Sequence, residues 1–294
     1  VYFGMTSQFS FYPLQALLRV GRQIAVVIIP GHQRPGNQLP RPVTEAPTER
    51  SETGASPDII SLALGANVAV WQVGSLAGSA TREFLADFKP DIICVACFSK
   101  LLPAAILGLP RFGCLNLHPS LLPAYRGPEP LFWTAYYDER TTGVTLHWLD
   151  SDIDSGDVVG QASVARPDGM TGCELERECA ERGGALLVEA LNALDRHGVL
   201  PGRPQQTEGA SYFSIPTAAE MIINPDWPAR RTFNFIHGAE QWPLWVEAGE
   251  TRYRIRTAKS YAADHQLDQP YVLLADELWV QMKPGVLRLK IWPG

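Results

Sequence analysis

The chain runs to 294 residues, 46% hydrophobic and 19% charged, with a formal net charge of −6. That length and apolar content allow a sizeable core shared over one large or two modest domains, and the negative balance argues against a general nucleic-acid coat. No run approaches the ~18–20 apolar residues of a membrane span, the first residues lack the charged start of a signal peptide, and the five cysteines follow no disulfide spacing, which together predict reduced thiols in a cytoplasmic protein.

In chain order, Val1-Tyr2-Phe3 followed by Gly4 predicts a strand that closes in a tight loop, and Tyr12 to Val20 a helix with Leu14, Leu17 and Leu18 on its inner side. Ile24–Ile29, part of Val68–Val73 and Ile92–Ala96 are apolar runs rich in β-branched residues, the texture of strands buried on both faces in a helix-covered parallel sheet. Segment 30–57, rich in Pro, Gly, Thr and Ser, reads as a mobile loop. Cys94 and Cys97 make a Cys-x-x-Cys, but inside an apolar run with no His or second pair nearby, so no metal site is expected. Thr171-Gly-Cys-Glu174 fits a capping box opening a long helix, with Leu175, Cys179, Leu186, Leu187, Leu191 and Leu194 at helical spacing and Gly198 able to end it. Residues 201–214 have linker composition. After them come a short helix near Arg231–His237 and five strand-like runs, Leu244–Ala248, Thr251–Ala258, Tyr271–Leu274, Leu278–Met282 and Leu287–Trp292, the pattern of a small β-barrel. The predicted organisation is an α/β domain over 1–200, a linker over 201–214 and a small β-rich domain over 215–294.

The chemistry concentrates in one stretch. Asn116 and His118 stand two apart in an extended run and leave it on the same face, where they can meet an acid from the loop Asp152-Ile-Asp154-Ser-Gly156-Asp157. An amide donor, a group that exchanges protons near neutral pH and a carboxylate that can orient the ring suit acyl-group chemistry. When a nucleophile attacks an acyl carbon, the oxygen gains charge and the nucleophile must lose a proton. His118 can serve as the base, as the charged partner of the oxygen, or as both in sequence.

The run Asn116-x-His118-x-Ser120-Leu121-Leu122-Pro123, with the later Asp154-x-Gly156, resembles the folate-dependent formyltransferases. That group includes methionyl-tRNA formyltransferase, amino-sugar N-formyltransferases and glycinamide ribonucleotide transformylase. The resemblance implies a Rossmann-like domain, an open barrel of the oligonucleotide/oligosaccharide-binding type behind it, and transfer of a formyl group from 10-formyltetrahydrofolate to an amine. It also implies that Asn116 faces the oxyanion, that Asp154 rather than Asp150, Asp152 or Asp157 supports His118, and that Ser120, Leu121, Leu122 and Pro123 form one folate wall while Leu101 and Leu102 form the other. The loop after Gly4 lacks the Gly-x-Gly-x-x-Gly spacing of dinucleotide binders, so NAD is not expected.

Charge bears on the acceptor. Residues 31–56 set Arg34, Arg41 and Arg50 against Glu45, Glu49 and Glu52, and the tail from 215 holds nine Lys or Arg against nine Asp or Glu. An RNA backbone rewards a basic surface. The expected acceptor is therefore a primary amine on a small or carrier-linked molecule, such as a nucleotide-linked amino sugar or an amino acid. Methionyl-tRNA is the alternative, and a formyltetrahydrofolate hydrolase using the same three residues on water is a second. Arg252, Arg254 and Arg256 alternate along one strand, as an anion contact or as a solvated face.

Overall fold

A computed structural model describes residues 1–31, 39–45 and 58–292. The first half alternates strands and helices: β1 (Tyr2–Gly4), α1 (Gln8–Arg19), β2 (Val27–Pro30), β3 (Arg41–Val43), α2 (Ile59–Gly65), β4 (Val70–Val73), α3 (Ser79–Asp87), β5 (Ile93–Ala96), α4 (Ala104–Leu107) and β6 (Cys114–His118). There follow α5 (Pro130–Tyr136), β7 (Thr141–Trp148), β8 (Val158–Ala165) and α6 (Gly172–His197). The last part contains α7 (Ala229–Gly238), β9 (Trp245–Ala248), β10 (Thr251–Ala262), β11 (Tyr271–Leu274), β12 (Glu277–Gln281) and β13 (Val286–Ile291).

Two compact units are formed, one from 1–126, 143–163 and 176–211, the other from 127–142, 164–175 and 212–294. Both take discontinuous segments, so a cut near 201–214 marks only the last of several crossings. The expected linker is also structured at its start, where Arg203 bridges Val158.

The eight-stranded sheet runs β3-β4-β2-β1-β5-β6-β7-β8. Strands β4, β2, β1, β5 and β6 are parallel, as their apolar runs predict, while β3 and β7 pair antiparallel. Phe3, Ile28, Val73, Ile93, Val95 and Ile106 meet in one buried cluster. Each such side chain contributes about 1.5–3 kcal/mol on burial. Strand order reverses between β1 and β5, which leaves a crevice at the carboxyl ends of the central strands. Part of the 30–57 segment, expected as loop, is β3, with Pro42 tolerated because β3 is an edge strand. Residues 32–38 and 46–57 of that segment lie outside the described residues.

Caps decide helix starts. Helix α1 begins at Gln8 rather than near Tyr12 because the Ser7 hydroxyl accepts from the Ser10 N–H at 3.3 Å. The expected capping box of α6 is present: the Glu174 N–H donates to Thr171 Oγ1 at 3.2 Å, and the Thr171 N–H donates to Glu174 Oε2 at 2.9 Å. Gly198 closes the helix at φ +70°.

In the second unit, β11-β12-β13-β10-β9 make a curled antiparallel sheet, in agreement with the expected small barrel. The twelve-residue β10 pairs with β9 through Thr251–Arg254 and with β13 from Ile255 onward, with register shifts at Ile255/Thr257 and Ala258/Ser260. Such bulges bend a strand so that one strand serves both halves of a barrel. Along β12, buried Leu278 and Val280 alternate with Glu277, Trp279 and Gln281, which places the core on one face.

Candidate functional site

Strand β6 carries Asn116 and His118 to the carboxyl edge of the parallel strands, paired on one side with β5 and on the other with β7. Their neighbours Leu115 and Leu117 are buried on the opposite face, so the period of the strand turns both polar side chains the same way. The antiparallel register sets Asn116 directly across from His147 and His118 across from Thr145.

His118 is 4% exposed and uses both ring nitrogens. Its Nε2 lies 2.8 Å from the Tyr125 carbonyl, which can only accept, so Nε2 carries a hydrogen. Nδ1 is then the nitrogen left to gain and lose a proton, and it faces Asp154 Oδ2 at 3.5 Å. The loop that presents this carboxylate is locally strained, with Asp154 at φ +52°. Asp150 spends Oδ1 on the Asp152 N–H and the Ser155 hydroxyl, bracing the same loop from within. Of the four acids, Asp154 is the one at the imidazole.

His147 was not singled out by its sequence, yet it lies at the centre of the cluster. Its Nδ1–H donates to the Trp148 carbonyl at 2.9 Å, which leaves an Nε2 lone pair to accept from Asn116 Nδ2 at 3.1 Å. Asp154 Oδ1 stands 3.7 Å from the same Nε2. That contact is not an ion pair at neutral pH, because burial outweighs the nearby carboxylate and holds the His147 pKa down to about 4. A neutral, tautomer-fixed His147 orients the Asn116 amide, whose second Nδ2–H can donate to a substrate oxygen. The available signal was the strand Gly143-Val-Thr145-Leu-His147, where polar residues two apart interrupt an apolar run as they do at Asn116 and His118.

The Asp154-x-Gly156 spacing has a steric cause. A Cβ at Gly156 would lie 1.9 Å from the Trp148 carbonyl oxygen, the same oxygen that holds His147. Among the expected folate-wall residues, Ser120 and Leu122 are buried and brace their own loop: Ser120 Oγ donates to the Ala124 carbonyl, and the Leu122 N–H donates to Thr145 Oγ1. Gln161 Nε2 completes the brace by donating to the Leu122 carbonyl and to Thr145 Oγ1. Leu121 and Pro123 are half-buried. Leu101 is 71% exposed in the β5–α4 loop, whereas Leu102 packs against the apolar cluster. Geometrically, the arrangement joins a preoriented amide donor, an imidazole held through its Nε2 and a carboxylate that faces the Nδ1 of the same ring. Cys94, by contrast, is buried with its thiol pushed up to about 11 by desolvation, the state of an inert core cysteine.

A family model described as formyl transferase matches residues 25–191, a span containing β6 and the Asp154 loop. The methionyl-tRNA formyltransferase of Agathobacter rectalis is 28% identical over 292 residues, 98% of this chain and 90% of that protein. The methionyl-tRNA formyltransferase of Clostridium perfringens strain SM101 is 36% identical over 236 residues, 79% of this chain and 75% of that protein. Among solved structures, the N-formyltransferase of Helicobacter canadensis, in complex with folinic acid and dTDP-3-aminofucose, has a TM-score of 0.70 at 15% identity, covering 99% of this chain and 98% of that one. That last likeness is one of fold.

Proposed function

The chain belongs to the formyl transferase family and is a folate-dependent formyltransferase, and on that premise we propose that it moves the formyl group of 10-formyltetrahydrofolate to a primary amine of a small or carrier-linked molecule. The observation that carries the reading is the meeting of Asn116, His118 and Asp154, with His147 behind Asn116. In this reading the amine nitrogen attacks the formyl carbon, and Asn116 Nδ2 donates to the oxygen as it takes up charge. One such donor is worth ~3–4 kcal/mol in the transition state. His118 Nδ1 takes the proton the nitrogen must lose, Asp154 favours the resulting imidazolium, and collapse breaks the bond to the folate nitrogen, which receives that proton from the imidazolium and leaves as neutral tetrahydrofolate. Leu101, Leu102, Leu121 and Pro123 line the folate, with Ser120 and Leu122 holding the loop beneath them. The protein works in the cytoplasm, where its five thiols stay reduced.

The tail supports a small acceptor, a nucleotide-linked amino sugar or an amino acid, because its cations are largely neutralised. Arg230, Arg252, Lys259, Lys283, Arg288 and Lys290 each pair with a carboxylate of the second unit. The second reading, methionyl-tRNA, is favoured by the names of the relatives and by Arg254 and Arg256, whose guanidinium carbons lie 5.9 and 5.2 Å from the ring of Trp292.

Formylation of dTDP-linked amino sugars, free amino acids and methionyl-tRNA, measured from roughly 50 to 200 mM salt, separates the two readings. A tRNA held by six or more phosphate contacts loses ~10³ or more in affinity over that range, whereas a small amine changes little. Turnover of a small amine with a shallow salt dependence is the expected result. Efficient formylation of methionyl-tRNA with a steep slope, flattened when Arg254 and Arg256 are both replaced by Ser, overturns the preference, and formate release without any amine points to a hydrolase.

A further inference from the structure

We propose that Gln205 is a positioning residue for Asp154, held in place by Arg126, an inference that rests on the formyl-transfer reading above. Between Ser151 and Ile153 the Asp154 loop is exposed, and Asp154 itself adopts the left-handed conformation at φ +52°. A non-glycine residue there costs of order 1–3 kcal/mol and persists only where its surroundings hold it. Gln205, about fifty residues further along the chain, supplies that hold. Its Nε2 donates one hydrogen to the Asp154 carbonyl and the other to the Gly156 carbonyl, both at 2.8 Å. Its Oε1 accepts from Arg126 Nε at 3.2 Å and from Arg126 Nη2 at 2.7 Å. The amide cannot be reversed, because two carbonyls require donors and a guanidinium requires an acceptor.

The same segment reaches the other side of the imidazole. The Tyr125 N–H donates to Ser211 Oγ at 2.9 Å, and the Arg126 N–H donates to the Ser211 carbonyl at 2.9 Å. The Tyr125 carbonyl in turn accepts from His118 Nε2, while Asp154 faces Nδ1. Residues 205–211 therefore grip both partners of one ring, and Arg126 joins the two grips.

Gln205→Glu separates positioning from bulk. Glutamate keeps the size and strengthens the contact to Arg126, but it sets an oxygen against two carbonyl oxygens and so pushes the Asp154 loop away. Purified Gln205→Glu and Gln205→Ala are compared with wild type in steady-state formylation and in hydrogen–deuterium exchange of residues 150–157. A displacement approaching 1 Å at a reacting group can cost up to ~10²-fold, so the expected result is a kcat lowered about tenfold or more, with KM for folate and amine within about threefold. Exchange in the loop rises while Tm stays close to wild type. Unchanged kcat, or kcat and KM altered together with no extra exchange in the loop, overturns the proposal. If wild type transfers no formyl group to any amine, the functional reading fails by itself. The exchange measurement needs no turnover and still judges the grip: equal protection of 150–157 in all three proteins refutes it.

Discussion

A proton that His147 refuses in the native state links stability to pH in a measurable way. The ring is fully buried, donates to the Trp148 carbonyl and accepts from Asn116, and its pKa is lowered by burial from 6.5 to about 4. The unfolded chain binds a proton at this position from pH 6.5 downward, whereas the folded chain does so only near 4. The stability tied to the neutral ring is thus fully present above 6.5 and is lost as pH falls toward 4. At about 1.4 kcal/mol per pH unit, that window amounts to about 3 kcal/mol, a large share of the ~5–15 kcal/mol that holds a typical domain. Urea unfolding of wild type and His147→Gln from pH 7 to pH 4.5 tests the size and the sign. Glutamine does not titrate, so the variant starts less stable at pH 7 but loses about 2 kcal/mol less on acidification. In the same protein the Asn116 amide loses its anchor, and kcat falls by about tenfold to a hundredfold, less than deletion of the amide itself. Parallel pH curves for the two proteins would refute the argument, since the titrating group would then lie elsewhere.

Asn116→Ala and His118→Ala are each expected to lower kcat by at least ~100-fold while circular dichroism stays native, and Asp154→Asn to do likewise; activity kept within a few-fold in any of the three refutes its assigned role. Gly156→Ala drives a methyl group into the Trp148 carbonyl. At ~2 kcal/mol of overpacking, its Tm should fall by roughly 5 °C and kcat should drop with it; a thermal scan and an activity assay equal to wild type would mean that the loop does not approach β7 closely. Tetrahydrofolate should raise Tm in a concentration-dependent way and NAD should not, by differential scanning fluorimetry; the reverse pattern returns the crevice to a dinucleotide.

Local spacing determined much of this protein. The β-branched runs specified the central strands, Thr171 and Glu174 specified the start of the long helix, and the strand-like runs from residue 244 specified four of the barrel strands within one residue and the start of β10, though not its continuation from Ala258 to Ala262, because period and capping are written into neighbouring side chains. Asn116 and His118 could be put on one face for the same reason. Tertiary structure alone decided which strands met. The antiparallel register of β6 and β7 brought His147 to Asn116 and, by burying it, removed its charge. A carbonyl packed against residue 156 turned a loop glycine into a steric requirement. A stretch expected as loop, Arg41–Val43, and one expected as linker, 203–211, took up an edge strand and the grip on both loops of the site, since their polar backbone and side chains found partners far away in the chain. Register, close approach and burial depend on long-range contact, and no periodicity within a segment records them.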